Sequence, residues 1–360
     1  MRPSQAGWSS FAGADENAQA PLRTGPPTLL CIGRPPPETM ASMGATPSVS
    51  FSTTVSGELP YVVTAPDRSS GTAYLAEQRS LIRARLVEHG AVLLRGLDLD
   101  GVDGFDQTVR TLAGPPLTYT ERSSPRSTIK GQVYTSTDYP ASEEIFLHNE
   151  NSYQASWPMS LFFYCVRPPE TLGATPLADT RAVLRLIDPD VRDEFARRGW
   201  MVVRNYAAGF GLPWQQVFGT EERDEVEQYC RANRIDYEWL DDGEALRTRQ
   251  VCQSELRHPV TGETVWFNQA HLFHVSNLPL AVQEALLEVV DDDRLPRNTF
   301  FGDGTPIDAA MLDEIRAVYR DTMLSFDWQA ADTLILDNLL MSHGRAPFAG
   351  KRRVLVAMTA

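Results

Sequence analysis

The sequence predicts a mainly β protein with inserted helices, built on a jelly-roll or β-sandwich core. Three observations lead there. Short apolar runs closed by Pro, Gly or polar pairs are dispersed along the chain, as buried strands are. Helical patterns punctuate these runs without the strand-for-strand alternation of a doubly wound parallel sheet. A chain of 360 residues, 42% hydrophobic and 22% charged, can bury an ample core, and barrel-type β folds reach such lengths as one unit.

Taken in order, residues 1–50 are dense in Pro, Gly, Ser and Ala, including Pro26-Pro27 and Pro35-Pro36-Pro37. Such a composition cannot bury enough apolar surface to order itself, so a disordered leader is expected, followed by a single catalytic domain over residues 51–360. Met40 and Met43 precede the first strand-like run, and translation is expected to start there. Leu75, Leu81, Ile82 and Leu86 recur at helical spacing, and Gly90 supplies the stop. Ala91–Leu94 then reads as a buried strand closed by Arg95-Gly96. Further strands are expected at Ser160–Val166, Met201–Tyr206, Thr264–Phe267, Thr333–Leu336 and Val354–Met358, with helices at about 221–232, 279–290 and 309–320.

Charge and cysteine usage exclude several classes. A formal charge of -14 disfavours nucleic acid and anionic lipid, which are bound through clustered Lys and Arg. Cys31, Cys165, Cys230 and Cys252 have no C-x-x-C spacing, so neither a zinc ribbon nor a disulfide scaffold is expected, and a reducing cytoplasm fits. No run approaches 18 apolar residues, so no membrane span is expected. The first residues lack the basic start and apolar run of a secretory signal.

The most informative segment is Ile145-Phe-Leu-His-Asn-Glu150. His148 and Glu150 are two apart and point to the same side of an extended backbone, where they can share one ion. His343 follows the apolar run Leu334–Leu336 and the pair Asp337-Asn338. Two imidazoles and one carboxylate occupy one face of an octahedron and leave positions open, the arrangement of non-haem Fe(II) oxygenases. Of the other histidines, His89 sits at a helix end and His258 in a polar turn, both structural. His271 and His274, at i and i+3, form a competing metal pair without a carboxylate, and His271 or Asn268 can instead line the substrate pocket.

With those residues in view, the chain resembles the TauD/TfdA family of Fe(II)/2-oxoglutarate-dependent oxygenases from about Glu58 onward. It is most similar to the SyrP-like, clavaminate-synthase-like branch, whose members are often encoded with peptide synthetases. His148-Asn149-Glu150 matches the proximal iron motif in its H-x-E form, and Asp337-Asn338 through His343-Gly344-Arg345 matches the distal stretch. The resemblance implies a double-stranded β-helix core, with iron on His148, Glu150 and His343. It implies that 2-oxoglutarate is held by an arginine of Lys351-Arg352-Arg353, with Arg352 ahead of Arg353. A planar fork of fixed charge suits a carboxylate. Gly173–Asp179 resembles the family's glycine-rich turn, which implicates the Thr175 hydroxyl. Glu150, where most relatives carry Asp, argues against the halogenating members.

By the same resemblance, 2-oxoglutarate and O2 are consumed to succinate and CO2, and the substrate is hydroxylated by default. Desaturation, epoxidation or ring closure need only a different radical fate. The expected substrate is an amino acid or a derivative, free or on a peptidyl carrier protein, in natural-product biosynthesis. Its contacts are expected from Asn149, Tyr134, Ser136, Asn268, Gln269 and Arg345, the last with Asp337 or another acid as an alternative partner. An acidic carrier would need a basic patch, around Arg192, Arg197 and Arg198 or around Arg122 and Arg126. Two other classes stand beside this reading: a zinc or manganese hydrolase, which has no use for Arg352 and Arg353, and a non-catalytic binding protein on the same fold.

Overall fold

The computed structural model describes residues 50–53, 60–64, 71–97, 99–118, 126–136, 139–207, 212–291 and 294–360. The leader and the alternative starts at Met40 and Met43 lie outside them. Two facing sheets form the core. The larger runs Ser50–Thr53, Tyr61–Thr64, Ala91–Arg95, Thr333–Asp337, Ser160–Arg167, Arg353–Thr359, Val133–Thr135 and Thr128–Lys130. Among the described residues, the pair Tyr61–Thr64 and Ala91–Arg95 is the one parallel pairing. The smaller sheet has Met341–Arg345 between Ile145–His148 and Leu177–Asp179, both antiparallel to it. The jelly-roll expectation holds.

Alternation within the large sheet explains why its strands read as continuous apolar runs. Val92, Leu94, Phe162, Tyr164, Ile335, Leu355 and Ala357 point to one face. Leu93, Leu161, Phe163, Leu334, Leu336, Val354, Val356 and Met358 point to the other. Successive side chains of a strand take opposite faces, so a strand covered on both sides needs apolar residues at every position. The first face packs on the helices Gly71–Glu77, Arg79–His89 and Gly101–Ala113. The second packs on Leu177 and Met341 of the small sheet.

The helix expected up to His89 is two helices, separated at Gln78, and it stops where expected: Gly90 takes φ 74° and its N–H bonds the Leu86 carbonyl. The helix Gly101–Ala113 was not expected. Its buried stripe of Phe105, Val109 and Leu112 has helical spacing, but Gly101 and Gly104 obscure it. Gly104 is required by contact, since a Cβ there would lie 1.2 Å from the Leu99 carbonyl oxygen.

Two of the expected strands belong to neither core sheet. Trp200–Tyr206 lies in a four-stranded antiparallel sheet with Asp236–Leu240, Ala245–Cys252 and Arg297–Phe301, and Thr264–Trp266 pairs with Glu255–Arg257. Both lie in the long excursion between Asp179 and Thr333. Residues of that excursion, among them Trp200, Trp266, Ile315 and Tyr319, pack with Phe146 and Leu147 and so cover the outer side of the small sheet.

Candidate metal centre

His148 and His343 are directly opposed across the pair Ile145–His148 and Met341–Arg345. Cross-strand partners bring their side chains together, and the two ring centroids lie 4.5 Å apart. The register slips between His343 and Arg345, so the three residues His343–Arg345 span the four residues Ile145–His148 on the other strand. This bulge lets Ile145 and His148, three apart, both line the pocket, while Phe146 and Leu147 both pack outward. Gly344 permits the close approach, because a Cβ there would lie 2.6 Å from the Ile145 carbonyl oxygen.

Glu150 arrives differently from the sequence expectation. The strand ends at His148 and Glu150 lies in the turn that follows. Asn338 holds it: the Glu150 N–H donates to Asn338 Oδ1 at 2.8 Å, and Asn338 Nδ2 donates to the Glu150 carbonyl at 2.9 Å and to that of Pro158 at 2.8 Å. Ligand atoms of His148, Glu150 and His343 then lie within 4.8 Å of one another, the one such cluster among the described residues. Glu150 Oε2 is 3.9 Å from His343 Nε2.

The donor set fits a divalent metal. His148 Nδ1 lies 2.8 Å from the Phe146 carbonyl, which can only accept, so Nδ1 carries the proton and the Nε2 lone pair is left for an ion. Burial holds the His148 pKa below the ordinary imidazole value, with Glu150 opposing it. Burial, with His148 and Arg126 adding, holds that of His343 well below it. Two neutral imidazoles and a carboxylate are what an open iron site needs.

Ten residues line the pocket, among them both histidines, Phe163, Thr175, Ser136 and the three arginines Arg126, Arg345 and Arg352. Arg352 Nε donates to the Gly173 carbonyl at 3.1 Å, while Nη1 and Nη2 reach Ser136 Oγ at 3.4 Å and Thr175 Oγ1 at 3.5 Å. Trp328 Nε1 also donates to Thr175 Oγ1, at 3.0 Å. Guanidinium and indole N–H groups only donate, so the Thr175 hydroxyl oxygen accepts both and its own proton is free to donate to an anion. Burial, with Arg345 next in effect, pulls the Arg352 pKa down to about 10. Arg353 is exposed at the start of the last strand and does not line the pocket.

The residues expected to contact substrate are placed as follows. Asn149 is fully buried and gives Nδ2 to the carbonyls of Asn338 and Met341. Gln269 Nε2 is spent on the Asn149 carbonyl, and Asn268 bonds the Ser254 carbonyl and the Ala270 N–H. Tyr134 packs between the sheets. None of these four lines the pocket. Ser136 does, but against Arg352. Arg345 lines it too, with Nη1 and Nη2 committed to the carbonyls of Tyr139, Pro140 and Glu143. Asp337 instead accepts from His258 at 3.0 Å and from the Leu339 and Leu340 N–H groups.

His271 and His274 do not form a metal pair. His271 Nε2 bonds the Leu147 carbonyl at 3.0 Å behind the small sheet, and His274 Nδ1 accepts from the Ser276 N–H. The expected docking arginines are also committed. Arg197 and Arg198 pair with Glu194, Arg198 also with Asp303, and Arg192 lies 3.6 Å from Asp193. Arg126 is buried and bonds both oxygens of Glu150, and Arg122 lies outside the described residues. Sequence reasoning missed the Arg126–Glu150 pair, the Asn338 clasp and the Trp328 contact. Only the Asp337-Asn338 pair left a signal, as a polar break after an apolar strand.

The chain is similar to several known proteins. The profile of the family described as taurine catabolism dioxygenase TauD, TfdA family matches residues 60–359. The dapdiamide synthesis protein DdaC of Enterobacter agglomerans is 45% identical over 273 residues, 76% of this chain and 83% of that protein. A clavaminate synthase-like protein of Arabidopsis thaliana is 27% identical over 297 residues, 80% of this chain and 86% of that protein. Among solved structures, PvcB of Pseudomonas aeruginosa aligns with a TM-score of 0.49 at 16% identity, over 83% of this chain and 84% of that one.

Proposed function

The chain belongs to the TauD/TfdA family and is a 2-oxoglutarate-dependent non-haem iron dioxygenase, and we propose that it hydroxylates an amino acid or an amino-acid derivative in natural-product biosynthesis. Membership sets aside the zinc or manganese hydrolase. One observation supports the residue assignment above all: His148 and His343, whose ligand atoms cluster with those of Glu150, line one pocket with Arg352 and Thr175. In this reading His148, Glu150 and His343 hold Fe(II), which when bound supplies the O2-dependent oxidation that side chains cannot perform.

The protein's own groups do the rest. Arg352 pairs with the distal carboxylate of 2-oxoglutarate, and the free protons of Thr175 and Ser136 add donors to it. Phe163, whose ring is tilted against that of His343 with centroids 5.2 Å apart, keeps that side of the pocket apolar. Hydrophobic cover from both sheets lowers the local dielectric, which strengthens each of these contacts.

The relative named for dapdiamide synthesis supports the biosynthetic setting. Because Arg192, Arg197 and Arg198 are neutralised by neighbouring acids, the structure offers no open basic patch there for a carrier, and a free substrate is the better reading. Anaerobic addition of Fe(II) and 2-oxoglutarate should give a weak visible charge-transfer band, absent in His148→Ala. Succinate release on adding free amino acids, rather than only carrier-loaded ones, then supports the free substrate. A folded, metal-loaded protein without the band overturns the ligand assignment.

A further inference from the structure

Among the described residues, Arg126–Glu150 is the arginine or lysine ion pair with both side chains below 10% exposure. Both side chains are nearly inaccessible, at 6% and 5% exposure, and the Arg126 Nη2 lies 3.0 Å from Oε1 and 2.9 Å from Oε2. The same Oε2 faces His343 Nε2. Surface pairs such as Arg197–Glu194 can be lost to water at small cost, but a buried carboxylate deprived of its only compensating charge is costly.

We propose that Arg126 is a built-in counter-ion for the metal's carboxylate ligand. It compensates Glu150 before the ion binds, and afterwards it retains one carboxylate oxygen so that Glu150 offers the other. The inference rests on Glu150 being a metal ligand. Two features support it. Glu150 has a longer, more flexible arm than Asp and needs external orientation to offer a single oxygen. The bond is made by one nitrogen to both oxygens, so a metal can take Oε2 while Nη2 keeps Oε1 without the guanidinium moving. A carboxylate confined in this way would offer a bound ion one oxygen.

The role makes Arg126 a positioning residue, and it separates from an ordinary structural ion pair in the metal-free protein. Thermal unfolding would be measured with and without saturating Mn(II) for wild type, Arg126→Met, Glu150→Gln and the double variant. In Arg126→Met the metal-free midpoint should fall by roughly 5–10 °C, because a buried charge is stranded. Mn(II) should recover more than half of that loss, since the ion supplies the missing charge. The double variant, with no charge to strand, should regain most of the metal-free midpoint and show no response to Mn(II).

Equal losses with and without Mn(II), or no loss in either state, overturn the proposal. So does a double variant as unstable as Arg126→Met, which would make the arginine a packing element. If Arg126→Met does not fold, a folded double variant supports the proposal and an unfolded one overturns it. A wild type insensitive to Mn(II), or a Glu150→Gln protein that responds as wild type does, overturns the ligand assignment itself and the proposal with it.

Discussion

Asn338→Ala tests whether the backbone of the carboxylate ligand is held where the structure places it. The Asn338 side chain makes three hydrogen bonds in a fully buried site, two of them to the backbone of Glu150 and one to Pro158. Truncation removes all three and strands the buried Glu150 N–H. At about 1 kcal/mol net for each bond, plus about 1–3 kcal/mol for the orphaned donor, the loss is about 4–6 kcal/mol. In urea that should appear as a midpoint lowered by roughly 1 M at unchanged slope. With the turn released, Glu150 no longer presents its carboxylate to the histidines, and affinity for Mn(II) should weaken by about 10–100-fold, as the loss of an outer-shell partner typically does. Competition of free Mn(II), followed by its magnetic resonance signal, measures this at low temperature where the variant remains folded. Asn338→Asp should be no better than Ala, since it replaces Nδ2–H by a charged acceptor facing two carbonyls. A variant that loses the stability but binds Mn(II) like wild type would refute the argument, and would make Asn338 a clasp for the turn with no part in placing the ligand.

The arginine pair gives a second prediction. Arg352→Gln should raise the dissociation constant for 2-oxoglutarate by about 100-fold, the value of one charge-assisted pair, whereas Arg353→Gln should change it by less than about twofold. Anaerobic titration of the charge-transfer band reads both, and the reverse ranking would reassign the co-substrate site. Stability should also depend on pH through the buried His271 and the half-buried His274, both outside the metal cluster. Burial pulls His271 down to about 3 and His274 down to about 4, from 6.5. Between 6.5 and those values the unfolded chain binds protons that the folded one refuses. The stabilisation is therefore full above pH 6.5 and is lost as pH falls toward 4 and then 3. Urea midpoints taken from pH 7 to 4.5 should decline, and the decline should be shallower in His271→Gln. A pH-independent midpoint across that range would show that neither ring resists protonation.

The contrast between Arg352 and Arg353 shows how far the sequence reaches. Alternation along an extended chain requires that only one of two adjacent arginines face a pocket, which the sequence states, but which one depends on the register of the last strand against Ser160–Arg167. The residues of the candidate metal cluster were legible because metal-ligating chemistry restricts them to few residue types, and only six histidines are available. The core strands were legible because burial on both faces demands apolar residues at successive positions, as in Ala91–Leu94 and Val354–Met358.

Contacts that join distant positions left no such pattern. Asn149, Asn268 and Gln269 resemble pocket residues in sequence because polar side chains beside a ligand motif suggest recognition. In the fold they satisfy backbone groups of buried turns, a demand that exists only once the chain is packed. Arg126 suggested a surface patch because arginine is usually solvated, yet it turns inward to Glu150, 24 residues away. The sequence by itself determined the sheet-rich core, the two histidines and the carboxylate, because periodicity and donor chemistry are local properties. The bulge that turns Ile145 and His148 into one pocket, the clasp on Glu150 and its counter-ion were decided by tertiary structure. Each arises from a polar or steric requirement that one segment imposes on another.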